Sequence, residues 1–205
     1  RAMFDQPEVH PLLKALWQPR LIESIRWIAA EVARDKSEGR TIISVEQEGR
    51  ADVAGVTLMG KADRLDRLAD GRIGIIDYKT GKPPSARQVK AGFSLQLGLL
   101  GVIAEMGGFD GLGPAPVAGD FEYWSLAKKG DQFGYRERPV DPLGKRDKII
   151  TQEFTAHAHA HFETLANDYL LGNAPFVAQL NPELANYGDY DQLMRLEEWY
   201  GRDDG

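Results

Sequence analysis

Three features of the chain predict an α/β fold with a mixed central sheet flanked by helices. Leu21, Ile25, Ile28, Ala29 and Val32 recur at three- and four-residue steps, the spacing of one helix face. Two strand-like runs then flank the turn residues Asp70 and Gly71. Beyond them, a helical stretch opened by Ser85 leads to the alternating run FEYWSLA, which reads as a strand returning to the sheet. Helix, antiparallel meander, crossover helix and returning strand is the expected order.

Taken in order, residues 1–10 show no period. Pro11 to about Lys36 reads as helix interrupted at Pro19, because an interior proline removes a backbone donor. Glu23 and Glu31 on it read as solvated charges. Thr41–Glu48 reads as a strand after the Gly39 stop, with Glu46 an exposed residue upon it. Val53–Leu68 and Arg72–Lys79 form the central hairpin, and Ile73, Ile75 and Ile76 predict a strand buried on both faces. Pro83 and Pro84 stop that strand. Ser85 is placed to cap a helix running to about Met106, before Gly107 and Gly108. Val89, Phe93, Gln96, Leu100 and Ile103 fall on one stripe of it, with Gln96 its one polar member.

A Gly/Pro-rich loop at Phe109–Gly119 precedes the strand Phe121–Ala127, which turns at Lys128–Asp131 and returns through Gln132–Val140. Tyr123 and Trp124 read as core residues rather than base-stacking ones. Lys145 to Leu171 reads as one long helix bearing His157, His159 and His161. His157 and His161 lie one turn apart and, with no third ligand at suitable spacing, read as a surface pair. A connecting loop, Asn173–Asn186, leads to a short helix at Tyr187–Trp199 that docks through Tyr190, Leu193, Leu196 and Trp199. The expectation is a single domain over 1–205, with 172–205 as its C-terminal loop and docking helix.

The chemistry concentrates between Gly60 and Leu97. Asp63 lies on the first hairpin strand, and Asp77, Tyr78 and Lys79 end the second. Asp77 and Lys79 are two residues apart, so on a strand they share a face. Paired carboxylates suit a hard cation that takes oxygen ligands, such as Mg²⁺ or Mn²⁺, with the Tyr78 main-chain carbonyl as a further donor. Lys79 would then stand beside the attacking water or the scissile phosphate and add positive charge where negative charge develops. This demands that Asp63 oppose Asp77. A two-residue Asp70-Gly71 loop would oppose Asp63 to Tyr78 instead. A three-residue loop, Ala69-Asp70-Gly71, pairs Leu68 with Arg72 and so Asp63 with Asp77, and Gly71 stands where such a loop needs a left-handed residue.

The stretches GKADRLD and IIDYKTG, followed by a helix bearing QL, resemble the RecB-type branch of the PD-(D/E)XK nucleases. More closely, they are similar to the C-terminal nuclease domain of the AddB subunit of bacterial AddAB helicase–nucleases. The C-terminal YGDYDQLMRLEEWYG resembles the AddB terminal segment of alphaproteobacterial type. The resemblance implies the restriction-endonuclease-like core and assigns Asp63 and Asp77 as metal ligands, Lys79 as the catalytic lysine and Gln96 as the site-positioning glutamine. It also implies a magnesium-dependent DNA exonuclease in double-strand break repair, a single-stranded substrate delivered by an AddA-type helicase–nuclease subunit, and a bacterial cytoplasmic setting without a membrane. The alternative is a non-catalytic nuclease-like module that guides DNA or docks the helicase. Two departures stand out. Leu100 occupies the place of a tyrosine common in the family, four residues after Gln96, and the G-T-x-x-H-x-x-L-E helix of many members is not present. The chain therefore reads as a fragment that starts after that helix.

Net charge is −6 over 205 residues, which argues against a free-standing non-specific DNA binder. Yet Gly60–Lys90 holds eight basic residues against four acidic ones. Arg64, Lys82, Arg87 and Lys90 are the candidate DNA contacts within it. With no cysteine in the chain, disulfides and a cysteine-bound iron–sulfur cluster are excluded from this segment.

Overall fold

The computed structural model describes residues 11–175 apart from 131, with side chains from residue 18 onward. The expected closing helix at 187–199, and the loop leading to it beyond 175, lie outside the described residues. The described chain forms α1 (Pro11–Ser37), β1 (Thr41–Val53), β2 (Val56–Arg67), β3 (Ile73–Lys79), α2 (Ala86–Lys90) and α3 (Gln96–Glu105). It continues through β4 (Ala118–Lys129), β5 (Gln132–Glu137), β6 (Val140–Asp141), β7 (Ile149–Ile150) and α4 (Phe154–Leu165). Among the described residues no helix is long and apolar enough to cross a membrane.

The five-stranded sheet has the order β1-β2-β3-β4-β5. Its first three strands form an antiparallel meander, β4 runs parallel to β3, and β5 returns antiparallel to β4. A parallel step needs a long crossover, and α2 and α3 supply it. The β1–β2 hairpin turns on Ala54 and Gly55, both at positive φ (51° and 77°), the geometry that matches strand twist across a two-residue loop. The β2–β3 connection has the three-residue form. Leu68 N–H donates to the Arg72 carbonyl at 2.9 Å and Gly71 N–H to the Leu68 carbonyl at 2.9 Å, with Gly71 at φ 84°. Arg64 pairs with Ile76 and Leu65 with Ile75, so the register continues to oppose Asp63 to Asp77.

One face of the sheet is an apolar core. Leu65, Ile73 and Ile75 meet Leu97, Leu100 and Ile103 of α3, and Phe121 stacks edge-on against Phe154 at 4.9 Å. Gly98 and Gly101 let α4 lie directly on α3, since added Cβ atoms would fall 2.7 Å from Ala158 Cβ and from Thr155 Cγ2. The other face is ionic. Arg64 and Arg136 both lie over the Trp124 ring, at 4.7 and 4.4 Å from its centroid. Around them Asp35, Arg40, Asp66 and Glu122 are all buried.

Four expectations need correction. α1 runs through Pro19 unbroken, because one missing donor does not by itself end a helix. Its sheet-facing positions are Trp27, Glu31 and Asp35, which meet Trp124 and Arg136, whereas Leu21 and Ile25 of the apolar stripe are exposed. The helix after Ser85 breaks into α2 and α3, with Gly92 at φ 83° between them. The long helix expected from Lys145 begins only at Phe154. Before it, Arg146 and Asp147 adopt positive φ, and Ile149–Ile150 pairs with Val140–Asp141 as a short parallel ladder.

Candidate active site

The site forms where β2 and β3 part. Asp63 is half-buried, and its Oδ2 accepts the Tyr78 N–H at 2.8 Å. A strand residue turns its N–H and its carbonyl to the same neighbouring strand. The Tyr78 carbonyl therefore lies on the Asp63 edge as well, where the expected main-chain ligand belongs.

Asp77 is 3% exposed. Its Oδ1 accepts from Gln96 Nε2 at 2.7 Å, and Oδ2 lies 2.8 Å from Lys79 Nζ as an ion pair, without an aligned hydrogen bond. Lys79 Nζ also donates to Gln96 Oε1 at 3.1 Å. Asp77, Lys79 and Gln96 thus close a ring, in which one amide orients both charged groups. Gln96 does this from the first residue of α3, not from a buried stripe. It is exposed and Phe93 is exposed as well, because the break after α2 rotates both away from the core. The Ser85 capping box, with Gln88 at its N3 position, fixes where α2 starts.

Burial pushes the Asp77 carboxyl above its ordinary range, and the facing Asp63 adds to this, although Lys79 and Gln96 pull the other way. Two facing carboxylates share one ammonium, that of Lys79, and so lack one positive charge. An oxygen-ligated divalent cation would supply it, so the residues present fit such an ion. Asp63, Asp77 and the Tyr78 carbonyl would hold it. Among the described residues no group of three His, Cys, Asp or Glu side chains is arranged to hold a metal ion. Glu31 is committed to Arg136 on the far face, and Glu46, at φ 52°, pairs with Lys61 at 2.5 Å.

Arg64 is not a DNA contact. It is 1% exposed on the ionic face, held by Asp66 at 2.5 Å and Asp35 at 3.3 Å. Parity explains this, since position 64 projects opposite to 63 and 65. Lys82, Arg87 and Lys90 are exposed on the turn and helix leading to the site, and Lys90 also pairs with Asp147. His157 and His161 are half-buried beneath α2 with rings 4.5 Å apart. Burial first, then His161, depresses the His157 imidazole.

One site residue escaped the sequence reading of function. Tyr123 pairs laterally with Asp77, and its ring lies beneath Lys79 Nζ at 5.6 Å. It is fully buried, and burial pushes its hydroxyl up to about 12. Reading it as core was correct for burial. Its place beside Lys79 depends on the β3–β4 register, which no local pattern encodes.

Comparison with known proteins agrees with this geometry. The chain is 30% identical over 206 residues to an uncharacterized protein of Rickettsia felis, covering 89% of this chain and 24% of that protein. An uncharacterized protein of Rickettsia bellii is 24% identical over 184 residues, covering 88% and 22% respectively. A third, from Rickettsia typhi, is 32% identical over 87 residues, covering 41% and 10%. The chain therefore spans about a quarter of the length of the first two relatives. Residues 1–181 match the PD-(D/E)XK nuclease superfamily. With its mixed sheet between helices and Asp63, Asp77 and Lys79 gathered where β2 and β3 part, the chain belongs to the PD-(D/E)XK nuclease superfamily, whose members are generally phosphodiesterases that use a divalent metal ion.

Proposed function

We propose that this chain is the nuclease domain of a larger protein and hydrolyses DNA phosphodiester bonds with Mg²⁺ or Mn²⁺. The observation that carries the reading is the ring joining Asp77, Lys79 and Gln96, with Asp63 directly across the strand pair. When bound, the ion would supply Lewis-acid stabilisation of charge on phosphate and would acidify water. Asp63 and Asp77 bind it. Lys79, held by Gln96 over the Tyr123 ring, places a fixed ammonium where charge develops on a phosphoryl oxygen. The resemblance to AddB supports the finer reading: an exonuclease trimming single strands delivered by an AddA-type helicase partner during double-strand break repair.

The test uses the full-length protein. Calorimetric titration with Mg²⁺ and Mn²⁺ is expected to show binding that disappears in Asp77→Ala, together with loss of cleavage of end-labelled single-stranded DNA. Cleavage that survives in Asp77→Ala overturns the metal assignment. The rival reading is a non-catalytic module that guides DNA or docks the helicase. DNA binding without metal binding in the full-length protein would select it.

A further inference from the structure

The break between α2 and α3 turns Phe93 outward, and the residue is 58% exposed. The loop that carries it is nevertheless pinned. Phe93 N–H donates to the Gln88 carbonyl at 2.9 Å and Gly92 N–H to the Val89 carbonyl at 3.1 Å. Gly92 takes φ 83°, and a Cβ there would lie 2.7 Å from His161 Nδ1, so the loop rests directly on α4. Leu95 is buried at 7% exposure and anchors the other end. Three residues beyond Phe93, Gln96 grips Asp77 and Lys79. Single exposed apolar residues are ordinary on protein surfaces. This one is an aromatic ring on a fixed backbone beside the site, with the exposed Lys82, Arg87 and Lys90 along the approach.

We propose that Phe93 is a stacking platform for one unpaired base of the substrate strand, next to the position of the scissile phosphate. The proposal rests on the nuclease reading above and extends it to strand preference. An apolar ring offers nothing to a phosphate, whereas every base has a π-face. Within a duplex both faces of a base are covered by its neighbours, so only an unpaired strand can lay a base on Phe93. The cations on the approach attract the backbone irrespective of sequence, and the ring selects for single-strandedness.

The experiment is fluorescence anisotropy on the full-length protein in EDTA, with a dye-labelled oligothymidylate and a duplex of equal length. Phe93→Ala is expected to weaken single-strand binding about 5- to 150-fold, the range for removing one stacked base, with duplex binding unchanged. Phe93→Trp is expected to restore it. A scan of single abasic sites along the oligonucleotide should find one position that weakens the wild type but not Phe93→Ala. Unchanged single-strand affinity in Phe93→Ala, beside a wild type that binds, overturns the stacking role and leaves the nuclease reading standing. No binding of the wild type to either DNA, in EDTA or with non-catalytic Ca²⁺ in its place, overturns both. A lowered thermal midpoint in Phe93→Ala with unchanged DNA affinity would mean that the ring is covered by another part of the protein, and that also overturns the proposal.

Discussion

Asp66→Ala is expected to be among the most destabilising substitutions in this domain, although it lies on the face away from the site. Asp66 is 0% exposed. It accepts from Arg40 Nε at 2.6 Å, from Arg64 Nε at 2.7 Å and from Arg64 Nη2 at 2.5 Å. Its removal leaves Arg40 with Asp120 at 2.9 Å and Glu122 at 3.3 Å. Among acidic partners, Arg64 retains Asp35 at 3.3 Å. The Arg64 and Arg40 side chains are only 2% and 7% exposed, so water cannot replace the lost partner. Breaking a buried pair in this way costs about 3–5 kcal/mol, out of a total of roughly 5–15 kcal/mol for a domain. At about 2–4 °C per kcal/mol for this size, the melting midpoint should fall by roughly 6–20 °C. Urea denaturation followed by tryptophan fluorescence is the suitable assay, since Trp27 and Trp124 stack at 5.5 Å inside the cluster. Because the charges are buried, raising salt should not shrink the loss. A loss below about 1 kcal/mol would refute the argument, because that is the scale of exposed pairs.

Three further outcomes follow from other parts of the molecule. Burial acts to raise the Glu122 carboxyl, but its hydrogen bond with Asp120 and the Arg138 and Arg40 guanidiniums outweigh that and hold it at about 2, against an ordinary 4.5. A depressed carboxylate stabilises the fold above its ordinary value, and that stability is lost as pH falls toward about 2. The loss is at most about 3 kcal/mol, part of it offset by the raised Asp120, and Glu122→Gln should flatten the acid limb of a stability-versus-pH curve. Asp77→Asn removes a desolvated charge opposite Asp63 and should leave metal-free stability unreduced in urea melts. Mg²⁺ at ~100 times its dissociation constant should add about 2.7 kcal/mol to the wild type and nothing to this variant. In Gly98→Ala the new Cβ meets Ala158 Cβ at 2.7 Å and Phe154 Cζ at 3.0 Å. Overpacking of about 1–3 kcal/mol should exceed the helix-propensity gain of about 1 kcal/mol, and a higher melting midpoint would show that α3 and α4 do not pack this closely.

What could be read from the sequence was what short-range geometry determines. The hairpin register is set by Gly71 and the three-residue loop, and once it is set Asp63 must face Asp77. Burial of Ile73, Ile75 and Ile76 on both faces follows from an apolar run at mid-sheet. Hydrophobic periodicity failed on α1 because its sheet-facing residues are Trp27, Glu31 and Asp35, whose partners come from β4 and β5 about a hundred residues later. The same distance hid Arg64. A basic residue beside a catalytic aspartate suggests a phosphate contact until Asp35, Asp66 and Trp124 are folded around it. Gln96 was found by its type and spacing, but its environment was not, because the break at Gly92 answers to His161 on α4.

The two faces of the sheet are joined through one residue, and this links the ionic cluster to the chemistry. Tyr78 stands between Asp77 and Lys79, so its side chain projects to the opposite face while its backbone belongs to the site. Its ring packs edge-on against Trp124 at 5.7 Å, and the Arg64 and Arg136 guanidiniums both lie over Trp124. Its N–H meanwhile fixes the Asp63 carboxylate at 2.8 Å. The end of β3, beyond the last rung it shares with β2, is therefore held by its ladder to β4, which runs to Lys79 opposite Ser125, and is backed by the packing of Tyr78 on Trp124. A carboxylate pair that must sit at a fixed separation for a cation needs such rigid support, and a well-packed apolar layer would also provide it. The ionic cluster differs in being directional. Arg64 is aimed by Asp66 and Arg136 pairs with Glu31 and Asp35, so the guanidiniums lying over the Trp124 ring restrict its orientation, and with it that of Tyr78.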